Sequence, residues 1–151
     1  MIRRTMNSHI EQYRRSQVFG MTQKELVVML YRGAIRFLNE AKTALAAERY
    51  DQSWQKFDRA RKIVLHLYST LNMEAGQIAH DLATLYSHLI EQISVANAER
   101  NAALADHCIK VLSTVKEGWE QIPDSEKPAD QPVVVGAANS ERHLSGVSVK
   151  A

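Results

Sequence analysis

The sequence predicts an all-α fold, an antiparallel up-down-up-down four-helix bundle, and three observations carry that prediction. No proline precedes Ile122, apolar residues recur every three or four positions through residues 22–122, and only a few residues separate one periodic stretch from the next. Links that short leave consecutive helices no choice but to lie antiparallel as neighbours. The bundle domain is accordingly residues 22–122. An N-terminal arm, residues 1–21, precedes it. A tail, residues 123–151, follows; it holds all three prolines, lacks periodicity and reads as disordered.

The arm, "MIRRTMNSHIEQYRRSQVFG", carries Tyr13, Val18 and Phe19, apolar enough to dock on another surface, and Gly20 separates it from the first helix. That helix starts at Thr22 with Glu25 three residues on, the pattern of a capping box, and runs to about Ala47. A second helix, read as capped by Asp51, repeats Trp54, Phe57, Ala60, Val64, Leu67 and Leu71. A third follows "NMEAG" with Ile78, Leu82, Leu85, Leu89, Ile93 and Ala96. A fourth follows Asn101 with Leu104, Cys108, Leu112, Val115, Trp119 and Ile122. No 20–50-residue repeat points to a solenoid. The triplet Val133–Val135 reads as an incidental apolar patch of the tail.

The first helix is more apolar than one stripe requires. Val27, Leu30, Ala34, Leu38, Ala41 and Leu45 form a core stripe, with Val28, Tyr31 and Ile35 flanking it on one side and Leu26, Met29, Gly33 and Phe37 on the other. Burial of each large side chain is worth roughly 1.5–3 kcal/mol, so something is expected to cover a flank. Gly33 costs a helix interior about 1 kcal/mol relative to alanine and implies a close approach by another backbone, either a neighbouring helix or a visiting segment.

Composition excludes several classes of function. Among 151 residues, 45% are hydrophobic and 24% charged, ordinary for a soluble domain, and a formal charge of +2 gives no nucleic-acid track. One cysteine, Cys108, rules out an internal disulfide and fits a reducing compartment. The N-terminus resembles no signal peptide, and the longest apolar run falls far short of the ~20 residues of a membrane span, so a cytoplasmic location is expected. Nothing points to an enzyme, a cofactor or a metal. Glycine-rich phosphate loops, Cys-x-x-Cys pairs, nucleophile elbows and Glu-x-x-His are all missing from the sequence. "AHDLATLYS" places His80 in a partial match to histidine phosphotransfer bundles, but Ala83 stands where a lysine is needed. Cys108, Trp54 and Trp119 read as core or core-edge residues.

"SQVFGMTQKELVVMLYRGAIRFLNEAK", "LNMEAGQIAHDLATLYSHLIEQISVAN" and "KEGWEQI" together resemble the FliS family of flagellar secretion chaperones, over roughly residues 13–122. The resemblance implies a cytosolic four-helix bundle that holds the disordered C-terminal region of flagellin, prevents premature polymerisation and presents the client to the flagellar type III export gate. It assigns client contacts to the first-helix motif and the Leu-Tyr that follows: Val28, Tyr31, Gly33, Ile35, Leu38 and Tyr86. It also makes Tyr13, Val18 and Phe19 part of an arm able to lie over that surface. The sequence departs from the family pattern at Arg32 (usually aspartate), Ala75 (the first of two glycines), Gln77 (glutamate) and Ser87-His88 (Asp-Tyr). The rival reading is a structural or regulatory bundle that self-associates through the same surface, with any homodimer expected to be weak.

Overall fold

A computed structural model of the chain describes residues 20–123. The arm residues Tyr13, Val18 and Phe19, and the tail beyond residue 123, lie outside the described residues. Four helices follow in order: α1 (Gln23–Ala46), α2 (Tyr50–Ser69), α3 (Gln77–Glu99) and α4 (Ala102–Glu120), with a short 3-10 turn, Met73–Ala75, before α3. α1 packs on α2 and α4, and α3 packs on the same two, so the helices occupy the corners of a square with α1 and α3 on one diagonal.

The helix ends follow local chemistry. Thr22 Oγ1 accepts from the Glu25 N–H at 3.1 Å while Glu25 Oε1 accepts from the Thr22 N–H at 3.0 Å, the reciprocal box expected at the start of α1. Asp51, in contrast, does not cap α2. The helix starts one residue earlier, at Tyr50, with Arg49 as a cap that makes no side-chain bond. Asp51 sits inside the first turn, where its charge still favours the helix dipole. α3 and α4 are joined through Arg100, in the left-handed region at φ 53°, and Asn101, whose side chain accepts from the Leu104 N–H at 3.0 Å. A two-residue turn of this kind fixes the two helices antiparallel.

Inside the square, the buried positions alternate by three and four residues: Val27, Tyr31, Ala34, Leu38 and Ala41; Ser53, Phe57, Ala60, Val64 and Leu67; Ala79, Leu82, Tyr86, Leu89, Ile93 and Ala96; Ala105, Cys108, Leu112 and Trp119. This is the inward seam of a four-helix bundle. It differs from the sequence stripes in phase. In α1 the core is centred on Tyr31 rather than Leu30; in α2 Ser53 takes the place expected of Trp54; in α3 Tyr86 takes that of Leu85. Adjacent residues on a 3.6-residue period often fit two stripes equally well, and the more apolar neighbour wins a sequence count even when the more polar one fits the interior.

Polar groups in that interior find partners. The Tyr31 and Tyr86 hydroxyls hydrogen-bond across the α1–α3 diagonal, and Trp119 Nε1 donates to the Tyr31 hydroxyl at 3.1 Å. Their rings meet edge to face, centroids 6.3 Å apart. Ser53 Oγ donates to the Tyr50 carbonyl at 3.0 Å. Three helices are therefore tied by one buried polar network that a slipped register would leave unsatisfied.

Candidate docking surface

Two apolar grooves run along opposite sides of the square, each at the edge where two neighbouring helices meet. The first lies between α1 and α4. Near the start of α1, Met21, Lys24, Glu25, Val28, Met29, Arg32 and Glu120 enclose a depression of about 580 Å³. Further along, Arg32, Ile35, Arg36, Asn39, Glu40, Thr43, Ser113 and Lys116 line a second of about 440 Å³. Arg32 belongs to both. It pairs with Glu120 at 3.1 Å, and Lys116 reaches the same carboxylate at 3.2 Å, so an ionic bridge crosses the trough between its two apolar parts. Lys116 first and Arg32 second hold the Glu120 carboxyl below the usual carboxylate range. Arg32 thus finds its counter-charge on α4. Lys24 Nζ donates to the Ile122 and Glu120 carbonyls at 2.8 and 3.3 Å, closing the end of α4.

The second groove lies between α2 and α3. Trp54, Phe57, Asp58, Arg61, Ile93, Ser94, Asn97 and Ala98 line about 300 Å³, with buried Phe57 and Ile93 as its floor. Trp54 stands 57% exposed. Its backbone is held in place by Asn97, whose Nδ2 donates to the Trp54 carbonyl at 3.3 Å. Asp58 pairs with Arg61 at 2.8 Å and Lys62 at 3.2 Å, and Arg61 above all depresses its carboxyl pKa. Positions 54, 58, 61, 65 and 68 share one helical stripe, so Leu65 and Tyr68, each 43% exposed, extend the Trp54 ridge along α2. A ridge of three half-bare large side chains is an unusual thing for a helix to leave in water.

These grooves redistribute the residues that the sequence singles out. Val28 and Ile35 line the α1–α4 trough, although Val28 is only 6% exposed. Tyr31, Leu38 and Tyr86 are corrected: all three are fully buried, Tyr31 and Tyr86 in the hydroxyl network, and they are core rather than docking residues. The physical reason is that α1 is contacted on two sides, so an apolar arc too wide for one neighbour is filled by two. Gly33 is corrected too. A Cβ there would meet Ile63 Cδ1 of α2 at 3.2 Å, so the close approach belongs to the bundle's own packing. Sequence reasoning missed Met29, Trp54, Leu65 and Tyr68. The signal was present in the α2 stripe, but Trp54 was assigned to the core.

Chain comparison decides what surface of this kind belongs to. The family described as "Flagellar protein FliS" matches residues 6–126. The chain belongs to the FliS family. Flagellar secretion chaperone FliS of Campylobacter jejuni is 32% identical over 118 residues, covering 78% of this chain and 92% of the relative. Its namesake in Vibrio cholerae is 32% identical over 109 residues, 72% of this chain and 80% of the relative. That of Bacillus subtilis is 22% identical over 115 residues, 76% and 86%. As a FliS member the chain is a flagellar secretion chaperone, a binding protein and not an enzyme. Among the described residues, no helix is long and apolar enough to cross a membrane. His80, the residue of the partial phosphotransfer match, stands exposed in the first turn of α3.

Proposed function

We propose that this FliS-family chain acts in the cytoplasm on flagellin. It holds the disordered C-terminal region of that client along its two grooves, prevents premature polymerisation and presents the client to the flagellar type III export gate. The observation that carries this reading is the exposed Trp54–Leu65–Tyr68 ridge beside the α2–α3 groove. A disordered segment that orders on binding loses about 2–5 kcal/mol, and each large apolar side chain sealed from water returns roughly 1.5–3 kcal/mol. An extended ridge with anchors at helical spacing is the surface that takes an amphipathic helix. Val28, Met29 and Ile35 give the α1–α4 trough the same character, so a client that winds round the bundle meets apolar surface at both edges.

The two tryptophans supply the test. Trp119 is 8% exposed and Trp54 57%, so a change in intrinsic fluorescence on mixing reports the α2–α3 groove. Added flagellin is expected to form a one-to-one complex, blue-shift the emission and lose both effects when its C-terminal segment is removed. Calorimetry at micromolar concentrations that detects no heat or saturation rejects the reading. Leu65→Asp is expected to weaken the complex at least about tenfold, a loss of about 1.4 kcal/mol or more, while far-ultraviolet circular dichroism keeps the helical signal.

A further inference from the structure

Charge is divided unevenly between the two hairpins of the bundle. Residues 20–69, which form α1 and α2, carry nine lysines and arginines against five carboxylates; residues 70–123, which form α3 and α4, carry three against seven. α3 contains no lysine or arginine at all. A chain whose total is only +2 therefore sets a basic hairpin of net +4 against an acidic one of net −4.

The basic charge converges at one place on the α1–α2 seam, where Arg36 and Glu40 are shared with the edge of the α1–α4 trough while Phe37, Lys56 and Arg59 line neither groove. Phe37 lies half-buried there, with the Arg36 guanidinium 4.8 Å, the Lys56 ammonium 5.5 Å and the Arg59 guanidinium 5.8 Å from its ring centre. Glu40 supplies the counter-charge, 3.7 Å from Arg36 and 3.0 Å from Lys56. Arg59 has no ion pair among the described residues. Each cation is attracted to the ring face, but three cations within reach of one ring also repel one another. Ile63 packs closely on Gly33 one turn before Phe37, where a Cβ would lie only 3.2 Å from Ile63 Cδ1. The result is a half-buried Phe37 ring surrounded by three cations and, through Arg36 and Lys56, one carboxylate.

We propose that this seam is a second docking surface, one that takes an acidic, amphipathic segment of a partner protein. Carboxylates of such a segment meet the Arg36 and Arg59 guanidiniums, which offer paired donors in the fixed geometry that suits a carboxylate. An apolar side chain beside them covers Phe37. Charge complementarity selects the occupant: an acidic segment relieves the repulsion that the three cations impose on each other. Nucleic acid fits less well, because the cluster spans one ring rather than a backbone track and holds Glu40 at its centre. The inference does not depend on what the grooves hold.

The test uses the full chain without client and a fluorescein-labelled synthetic peptide of alternating Glu and Leu pairs, read by anisotropy. The peptide is expected to bind, and about 0.5 M salt is expected to weaken it strongly. Combining Arg36→Glu with Arg59→Glu is expected to reduce affinity by roughly tenfold or more, as removal of half-buried ion pairs does. The milder pair Lys56→Gln with Arg59→Gln should follow in the same direction, with helicity unchanged in both. Equal binding of a Gln-for-Glu peptide, or affinities within about twofold for both variant pairs, overturns the proposal. So does sedimentation of the free chain as a dimer that the same substitutions dissociate, since the occupant is then the acidic hairpin of a second copy.

Discussion

Tyr31 shows how far a single side chain can differ from what its neighbours in sequence imply. It stands in an apolar run with the flank residues, yet its hydroxyl accepts from Trp119 and bonds to Tyr86 in the middle of the bundle. Burial raises its pKa to about 12, the Tyr86 and Trp119 hydrogen bonds working against that rise, and burial pushes Tyr86 well above its ordinary value as well. Burial likewise lifts the Cys108 thiol to about 11 from an ordinary value of 9.0. Each group keeps its proton longer in the folded chain than in the unfolded one. Their contribution to stability is therefore full below the unfolded pKa values and declines as pH rises, from about 9 for the thiol and about 10 for the phenols. Denaturant titrations are expected to show a plateau to about pH 9 and then a loss steepening towards pH 12, by up to about 1.4 kcal/mol per pH unit for each group. Cys108→Ser should move the onset up to about pH 10. Tyr31→Phe, which strands the Trp119 N–H and the Tyr86 hydroxyl, should cost about 1–3 kcal/mol near neutrality. A Tyr31→Phe variant as stable as the parent would show the network to be dispensable.

The helices themselves were legible in the sequence, and their phases were only partly so. Number and order of all four elements, and the starts of α1 and α4, follow from capping residues, short links and the three-four period, because those signals are local, whereas Asp51 misplaces the start of α2. Which of two adjacent residues faces inward is decided by packing partners far away in the chain. Ser53 and Trp54 both fit the period of α2, and only α3 settles that the serine goes in and the tryptophan stays out. For the same reason Tyr31 and Leu38, read from the α1 motif as surface, turn out to be buried. Turn geometry is the element-scale feature most open to measurement. Gly76 caps α3 at φ 110°, a conformation that a Cβ strains even though open space surrounds the position. Gly76→Ala is expected to destabilise by about 1–3 kcal/mol in a denaturant midpoint assay. Glu48, left-handed at φ 59° just beyond α1, is the converse case, and Glu48→Gly should raise stability by about 0.5–1 kcal/mol. Opposite signs from these two changes would tie both effects to backbone conformation rather than to side-chain contacts.

At the scale of the molecule, the bundle carries three kinds of surface: apolar edges at α1–α4 and α2–α3, a basic seam at α1–α2, and an acidic hairpin opposite. The α1–α4 edge has one further property, which is that it begins where the N-terminal arm enters α1. Met21, only two residues beyond Phe19, already lines its first depression beside Val28 and Met29. A segment carrying Val18 and Phe19 and tethered at Gly20 therefore has a high effective concentration at that depression, since closing so short a loop costs little entropy. Deletion of residues 1–19 is expected to increase binding of a hydrophobic dye and to speed association with flagellin, with the Leu65→Asp defect at the other edge unchanged. Val18→Asp combined with Phe19→Asp in the full-length chain should reproduce the dye result, because it removes the apolar contacts and keeps the tether. Dye binding that stays the same in both variants would leave the α1–α4 trough open at all times and remove the arm from any part in controlling it.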